Sequence, residues 1–113
     1  EQKMTLAVAA IKRTCVRLES LLTESTGPWI FGERFTLGDI VVGPLLDRIE
    51  DLGLELIWSE KFPLVNAWLQ DFQERASVKK TFYMGSRLSE MFPNHKLGKG
   101  SNSDIARYYL RKI

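Results

Sequence analysis

The side chains that most often act as nucleophiles, general bases or metal ligands are scarce in this sequence of 113 residues. It contains one cysteine, Cys15, and one histidine, His95, which lie far apart in the chain. A structural zinc site needs four ligands of this kind, and a disulfide needs two cysteines. We therefore predict neither a metal site nor a disulfide within the chain.

Neither Cys15 nor His95 has the neighbours that would make it catalytic. Cys15 falls on the apolar face of a predicted helix, which favours a small buried hydrophobic side chain over a nucleophile. A reactive thiol needs a lowered pKa, and no base stands at helical spacing beside it. His95 lies between Asn94 and Lys96, without a residue to orient it as a general base. We interpret it as a loop histidine.

Carboxylates are concentrated near the end of a second predicted helix. Glu50 and Asp51 are adjacent, with Asp47 and Glu55 close by. Paired carboxylates can perform acid–base catalysis when they are held in reach of a substrate. On a helix, however, these side chains spread over the outer face and its end, so we expect a solvated surface. The sequence thus predicts no catalytic residue.

Thr36 and Asp39 are interpreted as structural residues that begin the second helix. The Thr36 hydroxyl can accept a hydrogen bond from the Asp39 N–H, while the Asp39 carboxylate accepts one from the Thr36 N–H. Phe35 and Ile40 flank this pair at the spacing of a hydrophobic staple. The carboxylate also lies at the positive end of the helix dipole. We predict a capping box that fixes the start of this helix.

The elements that hold these residues are predicted to be helices. Residues 3–23 carry one apolar stripe with spacings of three and four residues, which indicates a helix. The stripe consists of Met4, Val8, Ile11, Cys15, Leu18 and Leu22. It also suits a coiled coil, but its short length and the Cys on the seam favour a core helix of a bundle. Residues 40–52 are apolar nearly all round, which predicts a central buried helix bent at Pro44.

The second half of the chain continues the helical pattern. A third helix is predicted to start at Pro63, with an apolar face of Val65, Trp68, Leu69 and Phe72. A short fourth helix is expected over 78–91, broken near Gly85, followed by a loose linker over 93–103. A terminal helix is expected to present Ile105, Tyr108, Tyr109 and Ile113 on one face. The sequence has no strand-like alternation, so the predicted fold class is all-α.

The composition fits one cytoplasmic domain. Hydrophobic residues make up 44% of the chain, close to the globular average, so a core can form. The longest apolar run, Ile40 to Leu46, is too short to span a membrane, and we expect no membrane partner. Residues 93–113 carry five Lys or Arg and one Asp. Such a basic tail can bind nucleic acid or acidic lipid, but we favour a solvated segment and do not expect nucleic-acid binding.

A longer motif surrounds the predicted cap. It reads Trp29-Ile30-x-Gly32-x-x-Phe35-Thr36-Leu37-x-Asp39-Ile40, followed by Pro44, Pro63, Trp68 and Arg75-x-Ser77-Val78. From about Leu18 to Phe82 this pattern resembles the C-terminal helical domain of glutathione transferases, and elongation-factor subunits look similar there. Residues 48–53 and the tail weakly resemble the reductive dehalogenase and ganglioside-induced-differentiation branches. Gly38 departs from the usual alanine, which is expected to weaken the helix by roughly 0.5–1 kcal/mol.

The resemblance implies a helical bundle over residues 1–92 that is incomplete on its N-terminal side. Residues 93–113 are then a basic linker with a short terminal helix. In this family an upstream thioredoxin-like domain binds glutathione and supplies the Ser, Tyr or Cys that contacts its sulfur. Because the sequence opens at Glu1 inside a predicted helix, we expect this missing domain to belong to a longer parent.

The implied function is that of the substrate-side helical half of a cytosolic glutathione transferase that acts on small electrophiles. The parent is expected to be a homodimer that uses glutathione as co-substrate, bound mainly by the missing domain. In the family the segment after Arg-x-Ser-Val often folds over the acceptor pocket, which makes Phe82, Tyr83 and Phe92 candidate acceptor-pocket residues. The alternative is a non-catalytic protein-interaction module with the same fold, as in translation factors.

Overall fold

The computed structural model describes residues 2–82 and 87–113, and this part of the chain is built from helices. In chain order they are α1 (Gln2–Glu24), α2 (Leu37–Asp51), α3 (Leu56–Ser59), α4 (Pro63–Glu74), α5 (Ala76–Phe82), α6 (Leu88–Met91) and α7 (Ser103–Leu110). Between α1 and α2, an isolated antiparallel bridge joins Trp29 and Gly32. The predicted all-α fold class is confirmed. Across the described ranges, none of these helices has the length and apolar character needed to cross a bilayer.

α1 and α4 supply the two faces around which the core forms. The buried residues of α1 belong to its predicted stripe and are Val8, Cys15, Leu18 and Leu22. The buried residues of α4 are those predicted, Val65, Trp68, Leu69 and Phe72. α1 packs against α3, α4 and α7, and α4 also contacts α2 and α5. The stripe of α1 therefore belongs to a helix of a bundle rather than to a coiled coil.

α2 packs through one face, which differs from the predicted burial all round. Gly43, Leu46 and Ile49 are buried, and Gly43 lies so close to Phe72 that a Cβ there would overlap the ring. Its other face exposes Leu37, Ile40, Val41 and Leu45. The prediction is wrong because, among the described elements, α2 is covered chiefly by α4.

The connection between α2 and α4 contains α3, a single turn that the sequence pattern does not predict. Its residues Ile57 and Trp58 are buried, and it packs against α1, α4 and α7. A helix of four residues is too short for a hydrophobic period to reveal it. The predicted fourth helix is present as α5 and α6, on either side of residues 83–86.

The segment over 93–103 is hydrogen-bonded to the C-terminal end of α2, so the expectation of a loose linker is wrong. The Gly98 N–H donates to the Asp51 carbonyl at 2.7 Å, and the Asn102 N–H donates to the Gly53 carbonyl at 3.1 Å. The Asn102 side-chain amide donates to the Leu52 carbonyl at 2.7 Å. These bonds join residues about 50 positions apart, so no local pattern reveals them. The division of the chain at residue 92 stays a prediction.

α7 faces the core with one predicted residue, Tyr109, and with two that were not predicted, Ala106 and Leu110. Ala106 is fully buried, and Tyr109 and Leu110 pack against the core. These three stand at positions i, i+3 and i+4, which share one side of a helix, and α7 contacts α1 and α3. Ile105 and Tyr108 are exposed. The prediction is wrong for Ile105 and Tyr108, because the small Ala106, rather than a larger apolar residue, lets the helix approach the core.

Candidate functional site

A buried carboxylate, that of Asp39, joins three parts of the chain. Its Oδ1 accepts hydrogen bonds from the Ile30 N–H at 3.0 Å and from the Trp68 indole N–H at 2.8 Å. Its Oδ2 accepts one from the Thr36 N–H at 2.9 Å. Because the side chain is fully buried, these donors replace water around it. Asp39 therefore holds the 29–32 turn, the start of α2 and the middle of α4 in a fixed relation.

Thr36 occupies the N-cap position of α2 with an extended backbone. Its hydroxyl donates to Asp39 Oδ2 at 3.4 Å, and its carbonyl accepts the Asp39 N–H at 3.1 Å. Phe35 packs against the core, whereas Ile40 is half exposed. The energetic roles of the capping box and of the staple stay predictions, which mutation can test.

A row of aromatic rings lies on the core side of the segment that precedes α2. Trp29 meets Phe35 edge to face at 5.0 Å, and Phe72 stacks with Phe35 and with Trp68 at 6.1 Å. The Arg75 guanidinium lies 3.8 Å from the centroid of the Phe35 ring. Aromatic pairs of this kind are worth about 0.5–1.5 kcal/mol beyond the area they bury. The arginine of the Arg-x-Ser-Val segment thus packs over the turn that precedes α2.

An apolar groove lies between α1 and the first half of α2. Its volume is about 210 Å³, and it is lined by Thr14, Arg17, Leu18, Leu21, Ile30, Phe31, Gly38 and Val42. An adjoining groove of about 270 Å³ shares Leu21, Ile30 and Phe31 with it. Phe31 is 69% exposed. Since Asp39 fixes the Ile30 backbone, the buried carboxylate positions one wall of this groove.

The lining of the groove is mainly apolar. Thr14 and Arg17 are its polar lining residues. Cys15 is next to Thr14 in sequence but fully buried, and burial together with the negative charge of Glu19 raises the pKa of its thiol to about 12. Such a thiol stays protonated at neutral pH. Within residues 2–82 and 87–113, no group of three His, Cys, Asp or Glu side chains could hold a metal ion.

Asp51, at the end of α2, holds the start of α6. It is 3% exposed and accepts hydrogen bonds from the Ser89 hydroxyl at 2.6 Å and from the Leu88 N–H at 2.7 Å. Burial acts to raise the pKa of Asp51, but the hydrogen bonds from Ser89 and Leu88 and the charge of Arg87 outweigh it. The pKa of Asp51 therefore lies below its ordinary value.

The neighbouring carboxylates also bind the chain itself, so the predicted solvated surface is wrong. Asp47 forms an ion pair with Arg87 at 3.2 Å. Glu50 and Glu55 are buried, and Glu55 accepts the Gly100 N–H. Asp47 and Glu55 thus hold residues that follow α5, and Glu50 accepts a hydrogen bond from the Gln73 side-chain amide of α4 at 2.8 Å.

Of the predicted acceptor-pocket residues, Phe92 is the one whose side chain the structure describes. Phe92 is 45% exposed and lies edge to face with His95 at 5.5 Å, and it does not line the groove. Tyr83 and the side chain of Phe82 lie outside the described residues, so their role stays a prediction. The sequence analysis did not predict Phe31 and Val42 as groove residues. The one feature that could have indicated them is their position close to the cap motif.

These features define an all-α domain in which a buried aspartate fixes the first turn of α2. The family model described as glutathione S-transferase, C-terminal domain, matches residues 1–71. The chain therefore belongs to the glutathione S-transferase C-terminal domain family, as the motif around Thr36 and Asp39 indicated.

Two curated relatives support this assignment. The 2,5-dichlorohydroquinone reductive dechlorinase of Sphingobium indicum is 36% identical over 81 residues, which cover 70% of this chain and 23% of that protein. The glutathione S-transferase GstB of Escherichia coli is 29% identical over 82 residues, which cover 71% of this chain and 38% of that protein. The chain thus spans less than two-fifths of either relative. No solved structure matches the chain significantly.

Proposed function

We propose that this chain is the substrate-side half of a glutathione-dependent enzyme that acts on small electrophiles. The observation that carries the proposal is the apolar groove between α1 and α2. An apolar concavity with few polar groups suits the body of an aromatic acceptor, and Phe31 offers a ring against which it can pack. A chlorinated aromatic, as in the name of the dechlorinase relative, is the acceptor class that we favour.

In this proposal glutathione binds to an upstream thioredoxin-like domain of the intact protein. Glutathione carries two carboxylates and an ammonium group, so a specific site needs several converging polar groups. The groove offers only Thr14 and Arg17 among its lining residues. The upstream domain would lower the pKa of the thiol. The thiolate would then attack the ring carbon that carries chlorine in an acceptor held by this chain, so that a C–S bond forms as the C–Cl bond breaks and chloride leaves. We further propose that the intact protein is a cytoplasmic homodimer.

The test compares this chain alone with the chain joined to its upstream domain. We expect calorimetry to show that the chain alone binds glutathione at millimolar concentration or more weakly, without converting a chloronitrobenzene acceptor. In the joined protein, Phe31→Ala should raise the KM for the acceptor about fivefold, since it removes one aromatic contact. Leu64→Ala is the matched control, because Leu64 is an exposed apolar residue of α4 outside the groove. Micromolar glutathione binding by the chain alone would contradict the proposal that the upstream domain binds glutathione.

The second candidate is a non-catalytic interaction module, and the exposed apolar face of α2 favours it. Leu37 and Val41 are 72% and 67% exposed on this face, and contiguous apolar exposure marks protein contacts as readily as ligand grooves. A joined protein that binds neither glutathione nor acceptor would support this candidate, most directly if a partner protected residues 37–45 from hydrogen exchange.

A further inference from the structure

A second groove lies on a different face of α1, where Ile113 meets this helix. Its volume is about 340 Å³, and it is lined by Ala9, Lys12, Arg13, Val16 and Ile113. It shares no lining residue with the groove between α1 and α2. Neither the core nor the proposed function uses it. We call these five residues, together with Arg17, Arg111 and Lys112 beside them in sequence, the basic groove.

The wall formed by Ile113 is held in place by α7. Ala106 is fully buried, and Tyr109 and Leu110 pack against the core, so the last turn of α7 is fixed on α1. The Lys112 N–H donates to the Tyr109 carbonyl at 3.0 Å, which continues the helical path toward Ile113. The basic groove is therefore a consequence of the fold and not of a free tail.

The basic groove collects positive charge from two distant parts of the sequence. Its cations are Lys12, Arg13, Arg17, Arg111 and Lys112. Among the described residues, none of the five has a carboxylate within ion-pair distance. Nearby acidic groups are engaged elsewhere, since Glu60 pairs with Arg107 at 3.3 Å and Glu19 accepts the Val65 N–H at 2.9 Å. In the described part of the chain, Lys12 and Arg13 thus line the groove without a paired carboxylate, and Arg17, Arg111 and Lys112 lie close to its lining residues in sequence.

The floor of the groove distinguishes between kinds of anionic partner. It is aliphatic, with Val16 52% and Ile113 42% exposed. The neighbouring ring of Tyr108 does not line the floor and is already covered by Lys112 at 5.0 Å, so the floor itself offers no ring for the base stacking that single-stranded nucleic acids use. It is also concave, whereas a membrane-binding helix projects apolar side chains outward. A partner that carries leucine or isoleucine side chains flanked by carboxylates is complementary to the groove, because its apolar side chains suit the floor and its carboxylates suit the cations. From Ala9 to Val16 the groove covers about two helical turns, which is the length that a pair of helix anchors spans.

We propose that the basic groove binds an acidic amphipathic helix of a partner protein. Apolar side chains of the partner helix lie on Val16 and Ile113, and its carboxylates face Arg13, Arg111 and Lys112. This interaction surface shares only Arg17 with the α1–α2 groove. The variants that test it leave Arg17 unchanged, so its test is separate from that of the enzyme function proposed above.

The test uses a fluorescent helical peptide of about five turns, with leucines at i, i+3, i+4 and i+7 and glutamates elsewhere. We expect anisotropy to show binding to the chain that weakens about tenfold between ~0.05 and ~0.3 M salt, because the attraction is screened. The double variant Arg13→Gln and Arg111→Gln should weaken binding about tenfold at the lower salt. Val16→Glu should abolish binding, since it places a carboxylate on the apolar floor. Lys80→Gln, at an exposed cation of α5, is the matched control and should leave binding unchanged.

Three results would overturn the proposal. A peptide with glutamine in place of every glutamate could bind equally well, which would remove the role of charge. The variants could fold, as judged by circular dichroism, and still bind with unchanged affinity. Amide chemical-shift changes could map to Phe31 and Val42 instead of to Ala9, Val16 and Ile113. Tighter binding of a poly-dT oligonucleotide or of phosphatidylserine vesicles than of the peptide would likewise reject a protein partner.

Discussion

Single carboxylates, buried at Asp39 and Asp51 and half-buried at Glu19, connect elements of this chain by accepting hydrogen bonds from backbone N–H groups elsewhere. Asp39 accepts from Ile30, Asp51 from Leu88, and Glu19 from Val65 at 2.9 Å. The last two satisfy N–H groups in the first turns of α6 and α4, which have no partner within their own helix. At the residue scale, these acidic side chains therefore connect separate elements of the fold.

Asp39→Ala should lower the free energy of unfolding by about 3–5 kcal/mol, because it leaves several buried donors without an acceptor. Thr36→Ala should cost only about 1 kcal/mol, as expected for a helix cap. Urea unfolding of both variants measures the difference. Asp71→Ala, at an exposed acid of α4, is the control and should change stability by less than about 0.5 kcal/mol. Equal losses for Asp39→Ala and Thr36→Ala would show that Asp39 acts as a local cap alone.

Asp51 should make stability depend on acid pH. Its pKa is lowered in the folded chain, so the folded state binds this proton less readily than the unfolded state does. The carboxylate therefore contributes its full stability above the unfolded value of about 3.9, and that contribution is lost as the pH falls through the lower folded pKa. Urea midpoints measured from neutral pH down to about 3 should fall more steeply for the wild type than for Asp51→Asn. A matching slope in the two proteins would contradict this assignment, and Asp71→Asn serves as the control.

The partners of these carboxylates differ in how far the sequence reveals them. The pairing of Asp39 with Thr36 spans three residues and follows a local capping rule. The bonds from Trp68 to Asp39 and from Leu88 to Asp51 span 29 and 37 residues. Only the assembled fold creates these long-range pairs. The sequence alone therefore predicts a solvated surface for the acidic cluster at the end of α2. Phe31 was likewise not predicted as a groove residue, because the groove exists only once α1 and α2 are assembled.

At the scale of elements, two glycines of α2 set how close its neighbours lie. Gly43 faces the Phe72 ring of α4, where a Cβ would overlap the ring. At Gly38, a Cβ would lie 2.7 Å from Cε2 of Phe31, whose exposed side chain can move aside. Gly38 therefore accommodates a ring of the groove, in addition to any effect on helix propensity.

Gly43→Ala should destabilise the chain by about 2–3 kcal/mol, because the Phe72 ring is buried and α2 must move away from α4. Gly38→Ala should stay within about 0.5 kcal/mol of the wild type, since the gain in helix propensity offsets the displacement of Phe31. Thermal and urea unfolding of this matched pair test the packing of α2. Similar destabilisation by both substitutions would show that helix α2 itself, rather than its contact with α4, is the sensitive feature.

Long and short helices differ in how well the sequence predicts them. α1 and α4 each carry several turns of one apolar stripe, and their buried residues agree with the prediction. α3 and α6 have four residues each, which is too few for a period to be seen. For α7 the period is present, but a fully buried alanine defines its inner face. Size-weighted apolar patterns do not detect such a contact.

At the scale of the whole molecule, the C-terminal segment is part of the packed structure. Asn102, Gly98 and Gly100 bind the end of α2 and the residue Glu55 just beyond it. Gly53 is essential to this contact, because its φ of +82° suits glycine and a Cβ would lie 2.7 Å from the Asn102 nitrogen. The composition of residues 93–103 suggests a linker. The segment is nevertheless held in place, because it donates hydrogen bonds to carbonyls at the end of α2 that have no partner within the helix.

Deletion of residues 97–113 should therefore lower the thermal midpoint of the chain by about 10 °C or more, since a few kcal/mol of burial and hydrogen bonding is lost. Ala106, Tyr109 and Leu110 account for the burial. Circular dichroism followed during heating provides the measurement. Removal of residues 111–113 alone is the control and should leave the midpoint nearly unchanged, because these residues are exposed. An unchanged midpoint after the longer deletion would show that α7 contributes no stability to the bundle.

The contacts of Asp39 also constrain the order in which the chain can fold. Its hydrogen bonds to Thr36, Ile30 and Trp68 close loops of three, nine and 29 residues. The entropic cost of closing a loop rises with its length, so the first turn of α2 and the preceding turn can form around the carboxylate before α4 arrives. The indole N–H of Trp68 then meets an acceptor that is already oriented. In kinetic terms, φ-values around Thr36 should exceed those at Trp68, and the aspartate that anchors the native groove becomes part of the folding nucleus.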